Sequence, residues 1–172
     1  MRRVSSISGK WRVLLFFLTA MLVVAADQSS KTWIRSYPKG RSIFESGFFR
    51  IIHSQNTGAA FGLFQGQSFA LTIIAFIGVA VLLFCALLIY RRFPVLDNRL
   101  AISALGLVLG GTVGNLVDRL CLGHVTDFID FRFWPAFNIA DSAIVVGTIM
   151  FACLLLMLAR TEKQGAARAG KV

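Results

Sequence analysis

At 172 residues, the chain is 56% hydrophobic and only 15% charged, with a mean hydropathy of +0.72; this excludes an ordinary soluble domain, in which about half of the residues are apolar and about a quarter charged. The net charge of +10 does not point to nucleic acid, because the basic residues stand in short clusters beside apolar runs and no motif of that class accompanies them. Cys85, Cys121 and Cys153 lie in or beside apolar runs, and their odd number and their spacing exclude a disulfide framework or a zinc site.

The first apolar run, residues 13–26, covers only about 21 Å of a hydrocarbon core about 30 Å thick. The first span is therefore predicted over residues 13–33, carrying Asp27 and Lys31 to the far interface beside Trp33. The basic residues before it and Val24-Ala25-Ala26 within it together mimic a secretory signal peptide. The segment is read as retained, since removal would discard Asp27. Residues 35–67 follow, and within them residues 42–54 are rich in Phe and Ile and bounded by Gly40 and Asn56-Thr57-Gly58. That pattern predicts one or two short strands, a small β-like platform on the outer interface. The second span, residues 69–90, is closed by Arg91 and Arg92. The third, residues 100–117, runs into Asp118 and Arg119 and carries Gly106, Gly110 and Gly114 on one helix face, which lets a neighbouring backbone approach closely and puts this helix in the middle of the bundle. The fourth, residues 139–159, has Asp141 in its first turn and Arg160 just beyond it. Residues 160–172 read as a polar cytoplasmic tail with a composition suited to disorder. No repeat divides the chain, so residues 1–172 are expected to form a single integral membrane domain: an all-α membrane protein, a four-transmembrane-helix bundle with a small extracytoplasmic β-like platform between helices 1 and 2.

Eleven of the eighteen Lys and Arg residues fall on the side of the termini, so both termini are expected to be cytoplasmic. The acids are biased the other way: Asp27, Glu45, Asp118, Asp127, Asp130 and Asp141 lie at the outer end, leaving Asp97 and Glu162 inside. Acid chemistry would therefore sit at the outer face.

A carboxylate at membrane depth is a functional hypothesis by default. Asn115, Asp118 and Arg119 are spaced to point to one side of the third helix, Asn138 and Asp141 begin the fourth, and Asp127 lies in the connection between them. Each has a plain alternative. Asp141 with Asn138 fits a helix-capping arrangement, Asp118 with Arg119 an interfacial ion pair, Asp27 with Lys31 an (i, i+4) pair, and Asp127 and Asp130 loop solvation. His53 and His124 lack ligand-spaced partners and read as interface or packing residues. No Ser or Cys triad, phosphate loop or His-Glu-x-x-His motif is present. What remains as chemistry is a pair of aspartates within about 3 Å sharing one proton, the charged member activating water and the protonated one donating to a scissile carbonyl.

Five segments carry a resemblance: Asp27-Gln28-Ser29-Ser30-Lys31, Asn56-Thr57-Gly58-Ala59-Ala60-Phe61, Gly110-Gly111-Thr112-Val113-Gly114-Asn115-Leu116-Val117-Asp118-Arg119, Val125-Thr126-Asp127-Phe128, and Phe137-Asn138-Ile139-Ala140-Asp141. In this order, placed against four spans, they resemble the lipoprotein signal peptidase (signal peptidase II) family of aspartyl intramembrane proteases over residues 11–160. The resemblance implies an aspartic endopeptidase of the bacterial inner membrane that removes the signal peptide of diacylglyceryl-modified prolipoproteins on the N-terminal side of the lipid-modified cysteine. It implies Asp127 and Asp141 as the catalytic pair and no metal or cofactor. It further implies that Asn56, Asn115 and Arg119 hold the substrate backbone, that Asp118 orients Arg119, and that Asp27, Lys31, Gly58, Ala60, Asn138 and Ala140 support the site. Membrane lipids surround the protein, a monomer is expected, and inhibition by globomycin-type cyclic peptides is implied.

Two other classes of protein compete. A proton-coupled transporter would carry acids near the midplane on broken or repeated helices, whereas these cluster at one face. A non-catalytic lipoprotein-binding scaffold would tolerate loss of either aspartate.

Overall fold

The computed structural model describes residues 9–58, 64–88 and 98–169. Helices α1 (Gly9–Arg35), α2 (Ser68–Leu88), α3 (Arg99–Leu122) and α4 (Ile139–Ala169) alternate with three strands: β1 (Ser42–Ser46) and β2 (Phe49–Asn56) between α1 and α2, and β3 (Val125–Asp130) between α3 and α4. Three helices are long and apolar enough to cross a membrane, Lys10–Arg35, Arg99–Leu122 and Ile139–Thr161, while the stretch Ser68–Phe84 of α2 is apolar but shorter. Large apolar side chains such as Met21, Phe76, Phe84 and Leu156 point outward, as expected of helices whose solvent is lipid.

Helix α3 packs against all three other helices, the central position predicted from its glycines. A Cβ on Gly110 would come within 2.6 Å of the Ala20 carbonyl oxygen, and one on Gly106 within 2.8 Å of that of Phe16. The missing side chains therefore let α1 and α3 meet backbone to backbone. Phe16, Ala20, Ile102 and Leu109 form the buried core at this crossing, and Val79, Leu82 and Leu83 bring α2 against it.

Two boundaries differ from the sequence reading. Helix α3 continues past residue 117 to Leu122, where Gly123 takes a left-handed conformation (φ 74°) and its N–H caps the Arg119 carbonyl at 3.1 Å. Helix α4 continues to Ala169, so the expectation of a disordered tail from residue 160 is corrected over the described residues. Thr161–Ala169 is polar, but Glu, Lys, Gln, Arg and Ala are all good helix formers, and polarity alone does not end a helix that has already nucleated. The end of the second expected span, Tyr90, lies outside the described residues.

The platform is a three-stranded antiparallel sheet in the order β1-β2-β3, with one strand more than the sequence suggested. Gly47, at φ 59°, makes the tight turn from β1 to β2. Strand β3 comes from the α3–α4 connection, and Ser54 on β2 pairs with Asp127 on it. A bridge from Ile129 to Phe137 then returns the chain to the start of α4. At the far end of the sheet Phe48, Phe49, Phe131, Phe133 and Phe137 pack with ring centroids 5.4–6.1 Å apart, beside the ion pairs Arg50–Asp130 and Arg132–Glu45.

Candidate active site

The site begins one turn before the end of α1. Asp27 and Lys31 are fully buried, and burying an ammonium in this way is tolerable only if every N–H finds an acceptor. Lys31 Nζ lies 2.8 Å from Asp27 Oδ2, 2.9 Å from Asn115 Oδ1 and 3.3 Å from Asp118 Oδ2. Its three donors are thus spent on α1 and α3. Gly114 makes room for this cluster, since a Cβ there would stand 2.6 Å from Asp27 Oδ2.

From α3 the network passes to the other elements. Asn115 Nδ2 donates to Asp141 Oδ1 at 2.7 Å. Asp118 Oδ2 accepts the Thr126 backbone N–H at 2.9 Å, and Asp118 Oδ1 accepts Gln28 Nε2 at 3.1 Å and lies 3.3 Å from Arg35 Nη1. Asp27 Oδ1 accepts the Ala140 N–H at 3.0 Å, so a carboxylate on α1 caps the first turn of α4.

Asn138 joins the two candidate catalytic acids. Its Oδ1 accepts the Asp141 N–H at 2.9 Å while its own N–H donates to Asp141 Oδ2 at 3.3 Å, the reciprocal pair of a capping box. Its Nδ2 donates to Asp127 Oδ1 at 2.7 Å. The other oxygen of Asp127 accepts Asn56 Nδ2 at 3.0 Å, a contact delivered by the β2–β3 pairing. The capping arrangement expected of Asp141 with Asn138 is thus present, and the same Asn138 side chain reaches Asp127.

Asp127 and Asp141 line one cleft of about 700 Å³, with Asn56, Gly58, Asn115 and Arg119 on its polar side and Trp134, Phe137, Ile144 and Val145 on its apolar side. Asp127 takes amide donors from Asn56 and Asn138, and Asp141 takes them from the Asn115 side chain and the Asn138 backbone. Burial and the charge of Asp141 push the Asp127 carboxyl up to about 7, against the hydrogen bonds from Asn56 and Asn138 and the charge of Lys31. Near neutrality Asp127 can thus hold a proton while facing a second acid, the requirement for general acid–base work.

The ion pair suggested by the spacing of Asp118 and Arg119 does not form among the described residues; Asp118 faces α1 and β3. Adjacent helical residues project about 100° apart, and Arg119 turns toward the cleft, where Nη2 donates to the Gly58 carbonyl at 3.2 Å and Nε is buried without a partner. Gly58 in turn donates its N–H to Asn56 Oδ1 at 2.9 Å. Ala140 is buried and bonded to Asp27, whereas Ala60 lies outside the described residues. His53 is a packing residue on β2, its Nδ1 lying 2.7 Å from the Tyr37 carbonyl. The sequence reading did not single out Gln28, Arg35 and Thr126. Their signals were adjacency to Asp27, an (i, i+4) step beyond Lys31, and position beside Asp127.

The proton on Asp127 gives a testable pH dependence. Activity that needs Asp127 protonated is expected to decline as the pH rises through about 7, seen as the alkaline limb of kcat/KM, which reports groups of the free enzyme. The folded-state value lies above the unfolded one of 3.8, so this group's contribution to stability is full below 3.8 and lost as the pH rises through about 7.

Comparisons with known proteins extend over the part of the chain that builds this site. Residues 19–157 match the model of the family described as signal peptidase (SPase) II. A protein named lipoprotein signal peptidase from Dehalococcoides mccartyi is 46% identical over 155 residues, covering 90% of this chain and 95% of its own. One of the same name from Moorella thermoacetica is 43% identical over 144 residues, covering 83% and 93%. A solved structure described as a bacterial membrane enzyme superposes with a TM-score of 0.73 at 31% identity, covering 88% of this chain and 91% of its own. The match takes in α1 from residue 19, the sheet, α3 and the start of α4, and with it the chain belongs to the signal peptidase II family.

Proposed function

We propose that the protein is an aspartic endopeptidase that removes the signal peptide from lipid-modified prolipoproteins, with Asp127 and Asp141 as its catalytic pair and the cut on the N-terminal side of the diacylglyceryl-cysteine. The observation that carries this is the meeting of a buried carboxylate from β3 and a half-buried one from α4 in one cleft that also has an apolar wall on α4. Asp141 is the ionised partner that draws a proton from water, with the Asn115 amide and the Asn138 N–H each donating to one of its oxygens. Asp127 holds the proton that passes to the carbonyl oxygen, and Asn56 and Asn138 keep its two oxygens aimed. Water attacks the carbonyl carbon to give a tetrahedral diol; Asp141 then passes the proton it took from water to the amide nitrogen, the C–N bond breaks to release the amine, and a diol hydroxyl returns its proton to Asp127 as the acid forms. Arg119, with a buried Nε free of protein partners, Asn115 and Asn56 line the path of the substrate backbone.

The remaining architecture follows the same reading. The chain is one integral domain with α2 as a fourth span, both termini in the cytoplasm and the cleft at the extracytoplasmic face of the inner membrane. It acts as a monomer, and globomycin-type cyclic peptides occupy the cleft. A transporter is disfavoured, because these acids gather at one end of the helices.

The apolar wall makes the test specific. Ile144, Val145 and Val146 line the cleft, and Val145 and Val146 are half exposed on the outside of α4, where lipid chains would lie. Purified protein is expected to shorten a diacylglyceryl-modified precursor and leave the unlipidated precursor intact on a gel-shift assay. Equal cleavage of both precursors would remove the lipid from the reading.

A further inference from the structure

We infer that Lys31 is the positioning residue that sets the two catalytic aspartates relative to one another, through three acceptors that each fix a different part of the site. The inference rests on the protease reading above.

Each N–H of the buried ammonium begins a separate path. The first goes to Asp27, whose other oxygen accepts the Ala140 N–H, the residue directly before Asp141. The second goes to Asp118 Oδ2, which also accepts the Thr126 N–H, the residue directly before Asp127. The third goes to Asn115 Oδ1, and the same amide donates from Nδ2 to Asp141 Oδ1. One path thus fixes the backbone of α4 at Asp141, one the backbone of β3 at Asp127, and one the side chain of Asp141. Neither catalytic carboxylate touches Lys31 itself.

The three paths have different redundancy. Asp118 has a second cation, Arg35, 3.3 Å from Oδ1, and Arg35 also reaches Thr126 Oγ1. For Asp27, Lys31 is the one cation paired among the described residues. Asn115 Oδ1 has Asn138 Nδ2 as a weaker second donor at 3.2 Å, but that group is already committed to Asp127 at 2.7 Å. Loss of the ammonium would therefore leave the α4 anchor charged and unpaired, weaken the β3 anchor, and free Asn115 to turn.

A structural salt bridge alone would be satisfied by neutralising Asp27 together with Lys31, and this separates the two roles. The experiment measures kcat and KM for a lipid-modified precursor, together with melting temperature, for the parent, Lys31→Met and the double variant Asp27→Asn/Lys31→Met. An asparagine at position 27 can still accept the Ala140 N–H, so the double variant is expected to fold. Its kcat is nevertheless expected to fall by roughly 100-fold, the cost of misplacing reacting groups by about 1 Å, with KM little changed. In Lys31→Met alone, removing the ammonium leaves Asp27, Asp118, Asp127 and Asp141 balanced only by Arg35 and Arg119, and the pH optimum of the remaining activity should rise by about one unit; in the double variant the two lost charges offset each other.

A double variant with the parent's kcat would reduce Lys31 to a neutraliser of Asp27 and overturn the inference. So would a rise in KM at unchanged kcat, or a double variant that cannot fold. A parent that leaves the precursor uncut removes the protease reading itself; a cutting parent beside an equally active Lys31→Met variant removes this inference alone.

Discussion

Asp127→Asn and Asp141→Asn proteins are expected to process a lipid-modified precursor more slowly than the parent by a factor on the order of 10⁴, the scale of losing one member of a catalytic unit, while still retaining it in a pull-down. Asparagine matches aspartate in shape but can neither take a proton from water nor give one to a carbonyl oxygen. At position 127 the carbonyl of the new amide can still accept from Asn138 or Asn56, so one orienting contact survives. At position 141 the amide nitrogen would face either the Asn115 amide or the Asn138 N–H, both donors. One of these two contacts is lost together with the negative charge in the first turn of α4, which the helix dipole favours, at a cost of about 1 kcal/mol. The Asp141 variant should therefore be somewhat less thermostable than the Asp127 variant, with both inactive. Parental cleavage by either would leave the mechanism without its acid or its base.

Gly111→Ala is expected to destabilise the protein by about 1–3 kcal/mol, the usual range for forcing a methyl into a packed core, and to reduce cleavage with it. A Cβ at this position would collide with the Ala140 carbonyl oxygen and stand 2.8 Å from Ile144 Cγ1. A backbone carbonyl in the first turn of a helix has no rotamer by which to escape. Helix α4 must instead move away from α3 at the turn where Asp27 holds Ala140 and Asn115 holds Asp141. Gly78→Ala on α2 is the control, for nothing lies within 4 Å of its Cβ and a helical glycine gains up to about 1 kcal/mol on becoming alanine. Equal melting temperatures for the two variants would mean that α3 and α4 do not depend on the close approach seen here.

The sequence exposed the helices and the acids more readily than the means by which they meet. The apolar runs and the glycine face of α3 are periodic, and a period of 3.6 is legible in a single chain. Strand β3 was harder to find. Its residues Val125 to Phe128 are buried in succession, so it lacks the alternation that marks a strand with one wet face, and its aspartates resemble a loop. The partners of Asp118 were illegible for a related reason. Its spacing to Arg119 suggested an ion pair, but the competing donors come from Gln28, Lys31, Arg35 and Thr126, up to 90 positions away, and only the crossing of α1 with α3 brings them near. The amides of Asn56, Asn115 and Asn138 read as substrate or support groups in the sequence, and only the fold shows that all three donate to the two carboxylates.

The closeness of Asp27 and Lys31 on a single helix, 2.8 Å apart one turn from each other, bears on how the chain enters the bilayer. During synthesis α1 emerges more than sixty residues ahead of α3, so Asn115 and Asp118 do not yet exist when the first segment partitions into lipid. Because the two opposite charges lie on the same face of one helix, the segment arrives self-neutralised and needs no later helix to offset a bare ammonium. The same pair then waits, already oriented, as the seed on which α3 and α4 assemble.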